Sequence, residues 1–391
     1  VNANNCVDIN VFEITNCPAI ETLNFSHNSS PVMQDLKLHT VYSLKHLYIN
    51  NSATSKTIRL PKYLNEEEAF KAAQGQAALP WNGLKTLHVA SATTTKIQYG
   101  SADVDNNIFD LTPLEQLTSL TVSGNTKVTE IKGLNYKGNI NSLFNNCQAL
   151  VKISGVIEAT STNGNYMYQN CRALNNLDGV TYIFPNVTAL AYAFCSAKQC
   201  TTKMLKQLLD AAGDKLTDIN NICQMYNSGT GILGTAADRS GRDMPSNLFE
   251  KCPNISNMSH AFAWGGNNYT NIPGNLLDPC AEKITDLTRA FQGGSLITVG
   301  AGLLKNKPNL TNVSHIFTGA SNLANYMHQD SNIFENSPKI SNTSYMFWSC
   351  GKLKCTNLEN TFKDKKMSIL FKNVNLPEFC GYDSSVNLLV K

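Results

Sequence analysis

The segment Ile255-Ser-Asn-Met258-Ser-His-Ala261-Phe262 is the main indication of the fold, because its apolar residues recur at the same spacing along the chain. The other copies are residues 187–194, 219–226, 284–291, 310–317 and 340–347. The last position of successive copies steps by 32, 36, 29, 26 and 30 residues. An internal period of this size is typical of stacked units that bury their apolar faces only against each other. The sequence therefore predicts a solenoid, and solenoids mostly bind other molecules.

Composition limits the classes of function. No apolar stretch in the 391 residues approaches the roughly 18 residues that a membrane span needs. A net charge of +3 with 16% charged residues gives no basic field, so we expect no nucleic-acid partner. The chain starts at Val1 without a leader, which we interpret as a trimmed or mature product. Low charge and plentiful Asn and Thr favour an extracellular or cell-surface location.

The first third of the chain carries a second repeat pattern. Two segments fit L-x-x-L-x-L-x-x-N, namely 20–28 and 117–125. Two more fit its first six positions, namely 44–49 and 84–89. This is the leucine-rich-repeat pattern, whose L-x-L core alternates as a strand does, so Leu87 and Val89 point inward while Thr86 and His88 face outward. We therefore predict an α/β leucine-rich-repeat solenoid with a curved parallel β-sheet, and with short helices, 3-10 turns and loops on its convex side.

Two segments between the repeats carry helix signals. Residues 66–78 follow Asn65, a good N-cap, and begin with three acidic residues. Residues 202–212 end at Gly213, a natural C-cap. The apolar stripe of this second helix is Met204, Leu205, Leu208 and Leu209.

The cysteines follow the repeat as well. Six of the twelve lie three residues after a large apolar residue: Cys17, Cys147, Cys171, Cys252, Cys280 and Cys350. A residue that recurs once per coil points into the core at the same depth, where a thiol acts as a small apolar filler. We therefore expect buried, reduced thiols rather than disulfides between coils. No Cys-x-x-Cys pair occurs, which argues against a structural zinc site.

The later repeats resemble the BspA-like leucine-rich repeat proteins of bacterial surfaces. One branch of that family repeats Met-Phe-x-x-Cys-x-x-Leu after a Val-x-x-Met strand. Residues 346–353 nearly match this phrase and residues 143–150 are close to it. The resemblance covers roughly residues 135–355, with departures in repeat length and at Ala320 and Gly294, where Cys is replaced. It implies surface display, adhesion or protein binding, and no catalysis.

The repeats suggest three segments of one continuous solenoid. Residues 1–135 hold leucine-rich repeats of the generic type and form its N-terminal part. Residues 136–355 hold the BspA-like repeats. Residues 356–391 lose the rhythm and are the expected C-terminal cap.

Catalytic motifs find no support. Gly229-Thr-Gly231-Ile-Leu-Gly234 satisfies G-x-G-x-x-G by letter, but loop rather than helix follows it. The histidines are not spaced for a metal, and no Ser or Cys nucleophile phrase adjoins them. We expect a protein that is not an enzyme, with no catalytic residue, no cofactor and no metal.

One column of side chains is a candidate ligand-binding surface. Five positions after the first aliphatic residue of each copy, it reads Tyr192, Gln224, His260, Arg289, His315 and Tyr345. A companion column holds Asn221, Asn257, Asp286, Asn312 and Asn342. Stacked strands lie about 4.8 Å apart, so these side chains would form a ladder. Aromatic, Arg and amide groups are typical of recognition surfaces. The alternative is that the column only solvates the sheet or packs against a loop.

The pattern as a whole favours a non-enzymatic binding or adhesion module on a bacterial cell surface. It would recognise an extracellular protein or glycan through the concave sheet face. The alternative is a structural or receptor-binding component of an assembly such as a phage tail or a surface layer. If the column proves to be scaffold, the polar loop at residues 229–246 becomes the better candidate.

Overall fold

A computed structural model describes residues 8–15, 17–25, 32–49, 54–90, 94–100, 107–224, 244–263, 269–293, 296–323 and 333–350. The chain divides into two compact units. The N-terminal unit comprises Val1–Ser161 and Met167–Phe184, and the C-terminal unit comprises Thr162–Tyr166 and Pro185–Lys391. The expected cap at residues 356–391 and most of the expected loop at 229–246 lie outside the described residues.

The described elements are mostly short strands. They are β1 (Asp8–Glu13), β2 (Thr22–Asn24), β3 (Val32–Lys37), β4 (His46–Tyr48), β5 (Thr54–Leu60), α1 (Glu66–Ala73), β6 (Thr86–His88), β7 (Lys96–Tyr99), β8 (Ile108–Asp110), β9 (Ser119–Thr121), β10 (Glu130–Gly138), β11 (Lys152–Ala159), β12 (Asn176–Ile183), α2 (Thr202–Ala212), β13 (Asn271–Ile272) and β14 (Thr298–Val299). Two 3-10 helices cover Gly213–Lys215 and Asp278–Cys280.

In the N-terminal unit, the predicted L-x-L strands form a four-stranded parallel sheet in the order β2-β4-β6-β9. Leu87 and Val89 point inward and are fully buried, as predicted. Thr86 faces outward but is only 6% exposed. Its hydroxyl lies 3.0 Å from Nδ1 of His46 on the neighbouring strand, so outward side chains of this sheet cover one another.

A second parallel sheet, which the sequence analysis did not predict, has the order β1-β3-β5-β7-β8-β10-β11-β12. Its strands place one buried apolar residue opposite the next: Leu36, Ile58, Ile97, Phe109, Ile131 and Ile153. The sequence signal was present, because the alternation of apolar residues in L-x-L occurs twice in several coils. Coils of the N-terminal unit therefore contribute strands to two parallel sheets.

The C-terminal unit stacks its coils through parallel bridges of a single residue each. The bridged residues are Asn163, Ala189, Asp218, Asn257, Asp286, Asn312 and Asn342. The sequence predicts that the apolar skeleton of the copies is buried in successive parallel strands. Its members are buried wherever they are described, namely Val187, Leu190, Met258, Leu287, Val313 and Met346. The regular strands predicted there are corrected, because the chain enters a turn after each bridge. Met225, the remaining position of that prediction, lies outside the described residues.

Two further columns hold the coils of the C-terminal unit together. Inside, the rings of Phe262, Phe291, Phe317 and Phe347 stack with centroids 5.7, 6.3 and 5.8 Å apart. At the surface, a hydroxyl of each coil donates to a backbone carbonyl of the preceding coil at 3.0–3.4 Å; these residues are Thr188, Thr217, Ser256, Thr285, Thr311 and Ser341. Parallel pairing of successive coils in both units confirms the predicted leucine-rich-repeat solenoid.

Both predicted helices are present. Asn65 caps α1, since its side chain accepts a hydrogen bond from the backbone N–H of Glu68 at 2.9 Å. The helix ends at Ala73, five residues before the predicted end at Ala78. Thr201 caps α2 through a bond from the N–H of Met204 at 3.2 Å, and Gly213 follows its last residue with a φ of 57°. The predicted apolar stripe of α2 is buried.

The predicted burial of the repeat thiols is confirmed for five of the six and is wrong for Cys17. Five of the six repeat cysteines are buried and none of the six is paired: Cys147, Cys171, Cys252, Cys280 and Cys350 are buried, and Cys17 is half-buried. The Sγ of Cys147 donates to Val122 O at 3.2 Å, and the Sγ of Cys350 donates to Phe317 O at 3.1 Å. Burial raises the pKa of both thiols to about 12. Burial and a raised pKa both disfavour the reactive thiolate of Cys147 and Cys350. Cys171 and Cys252 likewise donate to a carbonyl of a preceding coil, so four of the six thiols link coils.

Candidate functional site

A column of side chains follows the bridges of the C-terminal unit, three residues after each bridged residue. The backbone N–H of each member except the last donates to the carbonyl oxygen of the residue that precedes the next member, as in His260 N–H to Thr288 O at 2.7 Å, and this fixes the register. We call this column the outward ladder. Its members are Tyr166, Tyr192, Asn221, His260, Arg289, His315 and Tyr345.

The structure corrects the predicted column in one coil. Gln224 was predicted in the column, but it lies three residues beyond the ladder position. Exposure does not separate the two residues, because Gln224 and Asn221 are each 5% exposed. Asn221, which was assigned to the companion column, takes the ladder position instead. Asp218 takes the companion position, since it forms the bridge to Asn257.

The companion column has a structural role. The side chain of Asn257 accepts a hydrogen bond from the N–H of Ser259 at 3.0 Å, and Asp286 does the same with Thr288 at 2.7 Å. The same bond, from the N–H two residues on, recurs at Asn163, Asp218, Asn312 and Asn342. Side chains of Asn and Asp stabilise turns in this way. The companion residues therefore build the turn that presents the outward ladder.

Every member of the outward ladder has a left-handed backbone, with φ between 54° and 60°. Residues other than Gly adopt this conformation at a cost of about 1–2 kcal/mol each. Asn and His tolerate it better than Tyr or Arg. Because residues of such different kinds share it, the turn imposes the conformation on them.

Three basic side chains are adjacent at the centre of the outward ladder, as the sequence predicted: His260, Arg289 and His315. Burial lowers the pKa of His260, the charge of Arg289 lowers it further, and Asp286 acts in the opposite direction. Burial, and then Arg289 and His260, lower the pKa of His315. Near neutral pH the two imidazoles are therefore mostly neutral, and Arg289 carries the positive charge.

Aromatic rings flank this centre on both sides. The rings of Tyr166 and Tyr192 stack with centroids 5.0 Å apart. The ring of Tyr345 stacks on His315 at 4.8 Å. Trp348 packs edge-on against Tyr345 at 6.2 Å and remains 40% exposed. The outward ladder therefore combines flat apolar rings with one central cation.

Sequence reasoning missed two members of the ladder, Tyr166 and Asn221. Both follow an Asn or Asp by three residues, Asn163 and Asp218 respectively, as most members do. The turn-forming residue was therefore the signal that could have found them. It marks the ladder position better than the spacing of apolar residues does.

Metal binding and membrane spanning have no structural support in the part of the chain that the structure describes. Within these ranges, no group of three or more His, Cys, Asp or Glu side chains is placed to hold a metal ion. None of the described helices is both long and apolar enough to cross a membrane. The glycine motif at residues 229–234 lies outside the described residues.

Comparisons with known proteins add little. No protein-family model and no curated protein matches the chain. A leucine rich cell surface protein from Faecalibacterium prausnitzii A2-165 is 13% identical over 86% of this chain and 87% of its own, with a TM-score of 0.16. TLR13, in a complex with ssRNA13, is 10% identical over 91% of this chain and 66% of its own, also with a TM-score of 0.16. Both TM-scores are too low to support an argument, so the fold assignment rests on the pairing within this chain.

Proposed function

We propose that the chain is a non-enzymatic binding module that recognises a protein or a glycan through the outward ladder. The observation that carries the proposal is that the guanidinium of Arg289 is unpaired among the described residues. This side chain makes no hydrogen bond or ion pair with any residue that the structure describes. By contrast, Nε of Arg59 in the N-terminal unit lies 2.9 and 2.8 Å from the two carboxylate oxygens of Asp35.

An unpaired guanidinium between flat rings is suited to binding. Arg and aromatic residues carry a disproportionate share of the binding energy at interfaces, often about 2 kcal/mol or more each when they lie centrally. Arg also recognises carboxylates by two parallel hydrogen bonds, which gives specificity as well as strength. Solenoids present such groups over extended surfaces.

The proposal includes the localisation of the protein. Residues 346–353, with their near match to the Met-Phe-x-x-Cys-x-x-Leu phrase, support membership of the BspA-like group and display on a bacterial cell surface. The ligand is then an extracellular protein or glycan. We keep the division into repeats at 1–135, repeats at 136–355 and a cap at 356–391 as part of this proposal.

The test is a double substitution, Arg289→Ala with Tyr345→Ala. Ligands are first found by screening the wild-type chain on a glycan array and on immobilised host matrix proteins. The double variant should bind such a ligand at least about 30-fold more weakly, since about 1.4 kcal/mol corresponds to tenfold. Its melting temperature should change little, because neither side chain belongs to the core.

Arg172→Ala is the matched control, because Arg172 is an exposed arginine in the N-terminal unit. This variant should bind as the wild type does. A ligand whose affinity ignores the double substitution would show that the outward ladder is scaffold.

A further inference from the structure

The N-terminal unit contains a cavity of about 290 Å³ that the outward ladder does not use. One wall comes from the coils and includes His39, Tyr42 and Tyr99. The other comes from the connection between β5 and β6 and includes Lys62 and Tyr63. Among the described connections of this unit, only this one contains an α-helix, α1.

The two walls are held together by Trp81, which is fully buried. Its indole Nε1–H donates to Tyr42 O at 3.0 Å, and its backbone N–H donates to Lys62 O at 3.2 Å. The connection is also closed on itself, because the carboxylate of Glu68 accepts a bond from the N–H of Leu79 at 2.7 Å. The cavity is therefore formed before any ligand arrives, which lowers the entropic cost of binding.

The lining supplies flat rings and basic groups. Tyr99 offers its ring, since its hydroxyl already donates to Asp110 O at 2.8 Å. The Nζ of Lys62 lies 5.2 Å from the ring centroid of Tyr63 and makes no hydrogen bond or ion pair with a described residue. Nδ1 of His39 is buried without a hydrogen-bond partner among the described residues. A buried polar atom without a partner is costly unless a ligand or water satisfies it.

The charge of the cavity selects the sign of its ligand. None of the described residues that line it is acidic. The carboxylate of Glu13, outside this lining, lies 4.0 Å from Nε2 of His39 and so faces the other ring nitrogen, not Nδ1. The ammonium of Lys62 would repel a cationic ligand and attract an anionic one. Lys62 is the only Lys or Arg among the described lining residues, so a ligand with a single negative charge, such as a carboxylate, matches the cavity better than a doubly charged phosphate.

We propose that this cavity binds a small carboxylate whose ring lies against the tyrosines and whose carboxylate meets Lys62. Ligand sites commonly measure about 300–1,000 Å³, so this cavity is at the small end and suits one ring. A sugar acid and an aromatic acid share this chemistry. The proposed site is separate from the outward ladder, so each can fail without the other.

The test titrates the 391-residue chain with galacturonate, benzoate and galactose by calorimetry. At least one of the two acids should bind saturably, and galactose should bind at least tenfold more weakly. Binding of galacturonate alone identifies the site as one for sugar acids, and binding of benzoate alone as one for aromatic acids. The variant Lys62→Gln should weaken binding of the acid at least tenfold.

Two controls make the result decisive. Lys56→Gln removes an exposed lysine of the same unit that does not line the cavity, and it should leave binding unchanged. Tyr42→Phe keeps the ring and should weaken binding less than Lys62→Gln does. The proposal is overturned if neither acid binds, if galactose binds as well as the acids, or if Lys62→Gln has no effect.

Discussion

The N-terminal and C-terminal units stack their coils with different backbone conformations. In the N-terminal unit, strands of three to nine residues form two parallel sheets. In the C-terminal unit, most coils meet through a single bridged residue and then enter a turn. Both nevertheless bury continuous columns of apolar side chains. Apolar spacing therefore determines how the coils stack, whereas the residues between the apolar positions determine the backbone conformation.

The units also differ in what they do with outward side chains. In the N-terminal unit these side chains bond to each other. Nε of Arg59 donates to the carboxylate of Asp35, and Nε2 of His88 lies 2.9 Å from the hydroxyl oxygen of Ser119. In the outward ladder Arg289 has no such bond among the described residues. The first arrangement stabilises a sheet, and the second leaves a cation available for a ligand.

The largest expected effect tests whether core packing contributes as much to stability in the C-terminal unit as in the N-terminal unit. Phe291 is fully buried between the rings of Phe262 and Phe317. Phe291→Ala should lower the free energy of unfolding by about 3–5 kcal/mol, because it leaves a cavity between coils. Phe109→Ala in the N-terminal unit is the matched variant and should cost as much. Urea denaturation measures both, and a cost below about 1 kcal/mol for Phe291→Ala alone would show a looser C-terminal unit.

The next effect concerns a feature that the two units share, the thiol that bonds to the preceding coil. Cys147→Ser and Cys350→Ser should each cost about 1–3 kcal/mol, because a hydroxyl enters a largely apolar slot. The cost should lie at the lower end of this range, because Ser337 follows Phe334 as Cys350 follows Phe347 and its hydroxyl donates to Leu304 O at 2.7 Å. The wild-type thiols should react with a thiol reagent only after denaturation. Labelling of the native protein at either cysteine, followed by mass spectrometry, would contradict their burial.

A smaller effect, with opposite signs in the two units, concerns the left-handed backbone. At Arg289, whose φ is 54°, the Gly variant should be more stable than the Ala variant by about 1 kcal/mol. At His88, in strand β6, the Gly variant should be less stable than the Ala variant by roughly 0.5–1 kcal/mol. Comparing Gly with Ala at the same position removes the effect of the lost side chain. An Ala variant of Arg289 that is as stable as the Gly variant, or more stable, would mean that the outward ladder is not strained.

The smallest effect concerns protonation. The folded-state pKa of His260 and of His315 lies below its unfolded value, so the unfolded chain binds more protons between the two. Stability is therefore complete above the unfolded pKa and decreases as the pH falls towards the folded pKa. Arg289→Gln should raise the pKa of both imidazoles and weaken this dependence. In the N-terminal unit, His88 owes its lowered pKa to burial alone, so its pKa should stay unchanged. NMR titration of the imidazole signals measures the pKa values of all three histidines. An equal shift at His88 in the Arg289→Gln variant would rule out a local effect of Arg289.

The sequence predicted the stacking better than it predicted the register. Leu216, Ile219 and Ile222 are apolar at intervals of three, so a shift of one interval leaves the apolar pattern intact. Spacing alone therefore could not distinguish Asn221 from Gln224 at the ladder position. The Thr217-Asp218 pair does distinguish them, because a hydroxyl residue followed by Asn or Asp marks the bridge in most coils.

The eight-stranded sheet was missed for a different reason. Short alternating segments such as the one ending at Ile58 and Leu60 also suit loops or helix ends, and only pairing across coils makes them strands. Likewise, the cavity beside Trp81 arises from contacts between residues about forty positions apart. Local pattern does not report contacts of that range.

The turn of the C-terminal unit has a consequence for how this protein can evolve. Its backbone is set by the bridge and by the Asn or Asp that follows the hydroxyl residue, whereas Tyr, Asn, His and Arg all occupy the ladder position. Point mutations there can exchange one chemical group for another while the coil keeps its path. Natural variants could therefore acquire new ligands coil by coil, with selection for recognition acting almost independently of selection for folding.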